Sequence, residues 1–70
     1  MMFIKQLKVG DCFKWDGGYY IVLDDWNGRA IETYKAKGEC KQYRFVLTST
    51  AVTLISEKEF MEKENANTRD

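Results

Sequence analysis

The sequence predicts an all-β fold, a small five-stranded barrel followed by one short C-terminal α-helix. Glycines recur at roughly ten-residue spacing, which is typical of turns between short antiparallel strands. Five runs rich in aromatic and β-branched residues lie between or after these turns. With 70 residues, 44% of them hydrophobic and 31% charged, the chain can build one core and is too apolar for wholesale disorder.

Turn chemistry separates the predicted strands. Asp16-Gly17-Gly18 and Trp26-Asn27-Gly28 contain residues that accept a positive φ in tight hairpin turns. The small polar residues 48–51 favour a single 3₁₀ turn before the last strand. The strands delimited in this way are residues 12–15, 19–23, 30–34, 42–47 and 52–55.

Alternation assigns side chains to the faces of these strands. In the fourth predicted strand Tyr43, Phe45 and Leu47 share one face, opposite Arg44 and Val46. The strand at 19–23 is apolar at every position, which implies that something covers its outer side as well.

A helix is the expected cover. Ser56 and Glu59 form a capping box, and residues 57–64 are mostly good helix formers. We expect Phe60 and Met61 to dock this helix on the outer side of strand 19–23, since so short a helix is marginal alone. The predicted organisation is a barrel at 1–55, a helix at 56–64 and a frayed tail at 65–70.

The order of residues in the first hairpin resembles that of a known family. Val9-Gly10-Asp11-Cys12 leads into a turn at Asp16-Gly17, and the chain returns through Tyr20-Ile21-Val22. Together with the five short strands and the 3₁₀ turn, this pattern resembles a small SH3-like barrel over residues 7–55, in particular the N-terminal domain of the elongation factor P and KOW-type group.

That resemblance implies two functional contexts for the protein. In elongation factor P the hairpin between the third and fourth strands presents a lysine to the ribosomal substrate, and Lys35-Ala36-Lys37-Gly38 lies at about that position. Short chains of this kind also resemble the small orphan proteins of phages and mobile elements, many of which bind a host protein.

Composition argues against catalysis. The sequence contains no histidine, the commonest general base and transition-metal ligand. Cys12 and Cys40 lack the second pair that a tetrahedral zinc site needs, and Asp24 and Asp25 precede Asn27 as ordinary turn formers. We therefore expect no enzyme activity, metal or cofactor.

Location is predicted from the absence of export and membrane signals. Met1 to Leu7 carries Lys5 and Gln6 where a signal peptide would need an apolar run, and no apolar stretch is long enough to span a bilayer. Two cysteines are few for a disulfide-stapled secreted scaffold. The expectation is a cytoplasmic protein with reduced cysteines, of open oligomeric state.

Two binding functions follow from the aromatic and basic residues. Aromatic residues form 14% of the chain, more than such a barrel encloses, so some are expected on the surface. The favoured hypothesis is a protein-binding module, such as a phage or mobile-element regulator or inhibitor of a host protein. Its predicted contact residues are Trp15, Trp26, Tyr34 and Tyr43. Alternatively, Trp26 covers the barrel mouth or packs on the tail helix.

The alternative function is binding of RNA or single-stranded DNA. Net charge is zero overall, but residues 29–44 carry five basic residues against two acidic ones. A basic sheet face that also carries aromatic rings can track phosphates and stack bases. The residues predicted for this role are Lys35, Lys37, Lys41 and Arg44, together with Tyr34 and Tyr43.

Overall fold

A computed structural model describes residues 2–24, 28–36 and 43–65 of the chain. These residues form six β-strands, one 3₁₀ helix at Ile4–Gln6 and one α-helix. The strands are β1 (Met2–Phe3), β2 (Cys12–Trp15), β3 (Gly18–Asp24), β4 (Ala30–Lys35), β5 (Tyr43–Leu47) and β6 (Ala51–Ile55), and the helix is α1 (Glu57–Asn65).

The strands form one open antiparallel sheet in the order β1-β6-β2-β3-β4-β5. The mostly β architecture with one C-terminal helix is therefore confirmed, and β2 to β6 correspond to the five predicted strands. β1 adds a sixth strand, since Met2 pairs with Val52 and Phe3 with Ala51. A strand of two residues is too short to give an alternation signal in the sequence.

The first hairpin turn forms at the predicted place. Asp16 and Gly17 have φ values of 53° and 79°, and Trp15 pairs with Gly18 across the turn. Residues 48–49 form a single turn in which the Thr50 amide donates to the Leu47 carbonyl at 3.0 Å. Gly28 also has a positive φ, of 74°, but residues 25–27 of the second predicted turn lie outside the described residues.

One side of the sheet, called the inner face, carries the main core. Phe13 and Tyr20 lie at its centre as a stacked pair, with ring centroids 5.2 Å apart and planes inclined by 9°. Side chains from β2 to β6 point to this face by alternation, and the N-terminal segment closes over them. The buried members of the cluster are Ile4, Leu7, Phe13, Tyr20, Val22, Ile31, Val46 and Val52.

The other side, called the outer face, carries the helix. Phe60 of α1 is 4% exposed and is buried together with Cys12 and Ala36, with Tyr19 and Ile21 of β3 packed against them. The helix therefore covers the outer side of β3, as predicted. The Glu59 amide donates to Ser56 Oγ at 3.1 Å, which confirms the predicted cap at the helix start.

Met61 does not dock the helix, and that part of the prediction is wrong. Its side chain is 47% exposed, whereas Phe60 beside it is buried. Consecutive helical residues point about 100° apart, so with Phe60 directed at the sheet Met61 lies to the side of the contact and is largely in solvent. Among the described helices, none is long and apolar enough to cross a membrane.

Candidate functional site

The structure separates the predicted protein-contact residues between the two faces. Trp15 packs half-buried against the inner cluster, whereas Tyr34 packs against the outer cluster around Phe60. Tyr43 lies beside Tyr34, with ring centroids 5.4 Å apart in an edge-to-face arrangement. Trp26 lies outside the described residues. Trp15 and the two tyrosines therefore do not share one surface.

The outer side of β5 is apolar and exposed. Tyr43, Phe45 and Leu47 are 65%, 55% and 63% exposed, although Val46 between them is 1% exposed. β5 is the last strand in the order of the described sheet, so these side chains line one of its edges. We call Tyr43, Phe45 and Leu47 the β5 patch.

Sequence reasoning identified only Tyr43 of this patch as a contact residue. Alternation placed Phe45 and Leu47 on the face of Tyr43, but alternation cannot say which of two faces becomes the core. Arg44 shares a face with Val46, and Arg44 can reach solvent while its stem packs along apolar surface. A core face that contains one arginine was therefore compatible with the sequence.

The end of α1 lies beside the β5 patch. The Tyr34 hydroxyl donates a hydrogen bond to Glu64 Oε2 at 3.0 Å, and its ring lies 6.4 Å from that of Phe60. Burial raises the pKa of Tyr34, and the hydrogen bond and charge of Glu64 raise it further. Tyr34 is thus fixed between the helix and Tyr43, and it joins the covered part of the outer face to the exposed part.

A second constellation lies on the inner face. The guanidinium carbon of Arg44 is 5.2 Å from the ring centroid of Trp15, and Nη1 donates to the Tyr20 hydroxyl at 3.2 Å. Lys35 Nζ is 5.9 Å from the centroid of the Tyr20 ring. We call Trp15, Tyr20, Lys35 and Arg44 the arginine cluster. Two of the predicted nucleic-acid-binding residues, Lys35 and Arg44, thus meet here, whereas Lys37 and Lys41 lie outside the described residues.

Gly18 makes room for this cluster. A Cβ atom at Gly18 would lie 2.7 Å from Cε of Lys35 and 3.0 Å from Cε1 of Tyr20. Real Cβ atoms essentially never approach a neighbour within 3.0 Å. Gly18, which the sequence predicts as a turn residue, therefore also lets Lys35 and Tyr20 lie close to the backbone.

The cations of the arginine cluster contact aromatic rings. Within residues 2–24, 28–36 and 43–65, the contacts of Arg44 and Lys35 are made with rings and a hydroxyl, and no ion pair involves either residue. Arg44 is exposed and Lys35 is half-buried. Within the part of the chain that the structure describes, the two cations thus contact aromatic rings and are not ion-paired.

The rings of the cluster are poorly placed for stacking bases. Tyr20 is 0% exposed, and Trp15 has Arg44 over its ring and Tyr20 tilted against it at 5.7 Å. Tyr34 and Tyr43, which were expected to interleave with the basic residues, lie on the outer face. Among the described residues of the predicted nucleic-acid surface, Lys35 and Arg44 thus lie on one face and the two tyrosines on the other.

Cys12 is a buried thiol beneath the helix. It is 3% exposed, and burial raises its pKa, with the charges of Glu57 and Asp11 raising it further. Cys40 lies outside the described residues. The described residues contain no group of three or more metal-ligating side chains close together.

A cleft of about 460 Å³ lies at one end of the inner face. It lies between the N-terminal segment and the sheet, and its walls include Lys5, Lys8, Val22, Ile31 and Thr48. None of the residues predicted to bind a partner lines it.

Comparison with protein-family models, curated proteins and solved structures gives no match for this chain.

Proposed function

We propose that this protein is a non-enzymatic protein-binding module and that the β5 patch is its contact surface. One observation carries the proposal: three large apolar side chains, Tyr43, Phe45 and Leu47, stand 55–65% exposed along one edge of the sheet. Contiguous exposed apolar surface on a small protein is typical of an interaction site, and aromatic residues are frequent anchors of such sites.

Burial of the β5 patch would contribute favourable binding free energy. Fully burying a large apolar side chain contributes about 1.5–3 kcal/mol, so the three together offer several kcal/mol to an interface. Tyr34 is held by Glu64 and Phe60, and Tyr43 packs on Tyr34, so part of the surface is ordered before a partner arrives. Such preorganisation reduces the conformational entropy lost on binding.

The barrel fold and the biological role of the protein are part of the same proposal. The protein is an SH3-like barrel of the cytoplasm that acts as a phage or mobile-element regulator or inhibitor on a host protein. The resemblance of the first hairpin supports this part. The return of β6 to pair with β2, and the apolar cluster that β2 to β6 line on the inner face, also support a strongly curved, barrel-like sheet.

Affinity capture with matched variants tests the proposed surface. Lysate of the source cell is treated with nuclease and passed over the immobilised full chain, the Phe45→Ser/Leu47→Ser double variant, or Leu54→Ser. Leu54 is the control because it is 50% exposed on a different strand. We expect one protein to be retained by the wild-type chain and by Leu54→Ser and to be lost with the double variant. Equal retention by all three chains would show that the β5 patch is not the contact surface.

Nucleic-acid binding is a second candidate, and it is favoured by the meeting of Lys35 and Arg44 in one cluster where neither is ion-paired within the described residues. It predicts binding to single-stranded RNA or DNA that weakens steeply as salt rises and is lost in Lys37→Glu/Arg44→Glu. Tight, salt-sensitive binding of this kind, with no protein retained after nuclease treatment, would replace the protein-binding proposal.

A further inference from the structure

The cleft at one end of the inner face, called the N-terminal cleft, is closed at both ends by main-chain hydrogen bonds. The Lys5 amide donates to the Thr48 carbonyl at 3.3 Å. The Gly10 amide donates to the Val22 carbonyl at 3.0 Å. Residues 5 and 7–9 form one wall and lie at or between these two contacts, whereas Thr48 and Val22 belong to the opposite wall. The two walls are thus tied to each other, so the cleft is formed before a ligand enters it.

The floor of the N-terminal cleft is apolar. Leu7, Val22 and Ile31 line it, and all three belong to the inner-face core with exposures of at most 8%. Val9 also lines the cleft and is 64% exposed. Because these side chains are all aliphatic, an aliphatic group in the cleft contacts the core and removes Val9 from water.

The charged side chains in the described walls of the cleft are basic. They are Lys5 and Lys8, and both residues are exposed. The main chain of Lys8 is fixed, because its amide donates to Asp11 Oδ2 at 2.9 Å and its carbonyl accepts from the Asp11 amide at 2.9 Å. Its ammonium group is carried on a flexible four-carbon stem. Nζ of Lys5 lies 6.0 Å from the centroid of the Phe3 ring, at the outer limit of a cation–π contact. Lys8 is therefore the main anion-binding residue of the cleft, and Lys5 adds positive charge beside it.

These walls fit a ligand that carries an aliphatic group and a carboxylate close together. The last residue of a protein has this chemistry, because its side chain and its free carboxylate share one Cα atom. An internal Asp or Glu lacks it, since its carboxylate takes the place of the apolar side chain. The volume of about 460 Å³ falls within the range of roughly 300–1,000 Å³ that is typical of ligand pockets.

We propose that the N-terminal cleft binds the C-terminal residue of the partner protein. The free carboxylate is bound by Lys8 with the help of Lys5, and an aliphatic side chain packs on Leu7 and Val9 above the buried floor. This inference rests on the proposed function and names the chemistry of the partner's chain end. Thr48 of the cleft directly follows Leu47 of the β5 patch, so the cleft lies next to one end of the proposed contact surface.

Other ligands match the walls less well. A free amino acid carries an ammonium group beside its carboxylate, and the lysines of the walls repel that group. A phosphate alone leaves the apolar floor without a contact. A free aliphatic acid lacks the amide groups of a peptide, for which Thr48 and the Gly28 main chain offer polar partners in the cleft.

A peptide array with free C-termini tests the inference. The full chain, labelled with a fluorophore, is applied to random pentapeptides that present a free terminal carboxylate. We expect leucine, isoleucine or valine to be selected at the last position. The leading peptide is then synthesised as the acid and as the C-terminal amide, and both Kd values are measured by fluorescence anisotropy. The amide is expected to bind at least about tenfold more weakly.

Lysine variants locate the bound carboxylate. Lys8→Gln is expected to weaken binding of the acid about tenfold and to leave little difference between acid and amide. Lys8→Arg, which keeps the charge, should retain most of the affinity, and Lys5→Gln should have a smaller effect than Lys8→Gln. Lys14→Gln is the control, since it removes an exposed cation of β2 that does not line the cleft, and it is expected to leave both Kd values unchanged. Urea midpoints of the same variants separate a loss of binding from a loss of fold.

Three results would overturn the inference. These are equal affinity for the acid and the amide, an unchanged Kd of the acid in Lys8→Gln, and displacement of the leading peptide by 4-methylpentanoate as effectively as by the unlabelled peptide, which would assign the cleft to a small acid. If no terminal residue is selected but capture of a cellular protein still requires Phe45 and Leu47, the cleft inference fails and the proposed function stands. If capture does not require the β5 patch, the contact surface proposed there fails, whereas Lys8-dependent binding of the acid still supports the cleft.

Discussion

The guanidinium group of Arg44 lies over the ring of Trp15, 5.2 Å from its centroid, and donates a hydrogen bond to the Tyr20 hydroxyl at 3.2 Å. The contact joins β5 to β2 and β3 across the inner face. It holds the cation in one place, and a cation–ring contact at a solvent-exposed site contributes about 0.5–1 kcal/mol. Arg44 therefore helps to hold β5 against the rest of the sheet.

We expect Arg44→Ala to lower the free energy of unfolding by about 1 kcal/mol, because it removes both the ring contact and the hydrogen bond. Urea denaturation followed by circular dichroism measures the change. Lys8→Ala is the control, since Lys8 is exposed and lies away from the arginine cluster. A loss no larger than that of Lys8→Ala would contradict a structural role for the contact.

Substitution of Gly18 tests how closely the arginine cluster is packed. A Cβ at this position meets the flexible end of Lys35 at 2.7 Å and the buried ring of Tyr20 at 3.0 Å. Lys35 can move aside, but Tyr20, stacked on Phe13, cannot. Overpacking of this kind costs about 1–3 kcal/mol, so we expect Gly18→Ala to lower the urea midpoint by a corresponding amount.

The Lys35→Ala background separates the two contacts. We expect most of the destabilisation by Gly18→Ala to persist there, because the clash with Tyr20 remains. Full recovery in that background would show that Lys35 is the only obstacle, and no loss in the wild-type background would refute the close approach altogether.

Phe60 and Met61 form a matched pair on α1. Phe60 is 4% exposed against Cys12 and Ala36, and Met61 is 47% exposed. We expect Phe60→Ala to lower the free energy of unfolding by about 3 kcal/mol and Met61→Ala by no more than about 0.5 kcal/mol. Equal effects of the two variants on the urea midpoint would contradict docking through Phe60.

Reactivity of Cys12 gives an independent measure of the same docking. In a Cys40→Ser background, native alkylation by iodoacetamide is expected to be slow, because Cys12 is 3% exposed and its raised pKa reduces the thiolate. Phe60→Ala should accelerate the reaction, whereas Met61→Ala should not.

Deletion of residues 56–70 is expected to lower stability and to cause self-association through the uncovered outer face.

The contrast between α1 and β5 shows what the sequence could and could not predict. Helix docking followed from local signals, since Ser56 caps the helix and an all-apolar strand requires a cover. The sequence did not predict which face of β5 is exposed, because both faces carry apolar residues. Only tertiary packing determines that Val46 lies in the core. The stack of Arg44 on Trp15 joins distant strands, so no local pattern encodes it.

Neighbouring residues of β5 test which of its faces supports the fold. Val46 is 1% exposed and Leu47 is 63% exposed. We expect Val46→Ala to lower the free energy of unfolding by about 2 kcal/mol through loss of buried apolar contacts. Leu47→Ala should change it by less than about 0.5 kcal/mol. A large loss with Leu47→Ala would mean that the β5 patch is part of the core and not available to a partner.

The hydrogen bond from Tyr34 to Glu64 makes the free energy of unfolding depend on pH in the alkaline range. The pKa of Tyr34 is raised in the folded protein, by burial first and then by Glu64, so the folded state favours the protonated phenol. The resulting stabilisation is fully present below the pKa of an unfolded tyrosine, about 10, and is lost as pH rises through the folded pKa. We expect the wild-type chain to exceed Tyr34→Phe in stability by about 1 kcal/mol at pH 7, and this difference to shrink above pH ~10.

Urea denaturation of both chains across this pH range measures the difference. Glu64→Gln, which keeps an acceptor but removes the charge, should weaken the pH dependence. A difference that stays constant from neutral to alkaline pH would contradict the linkage between Tyr34 and the helix.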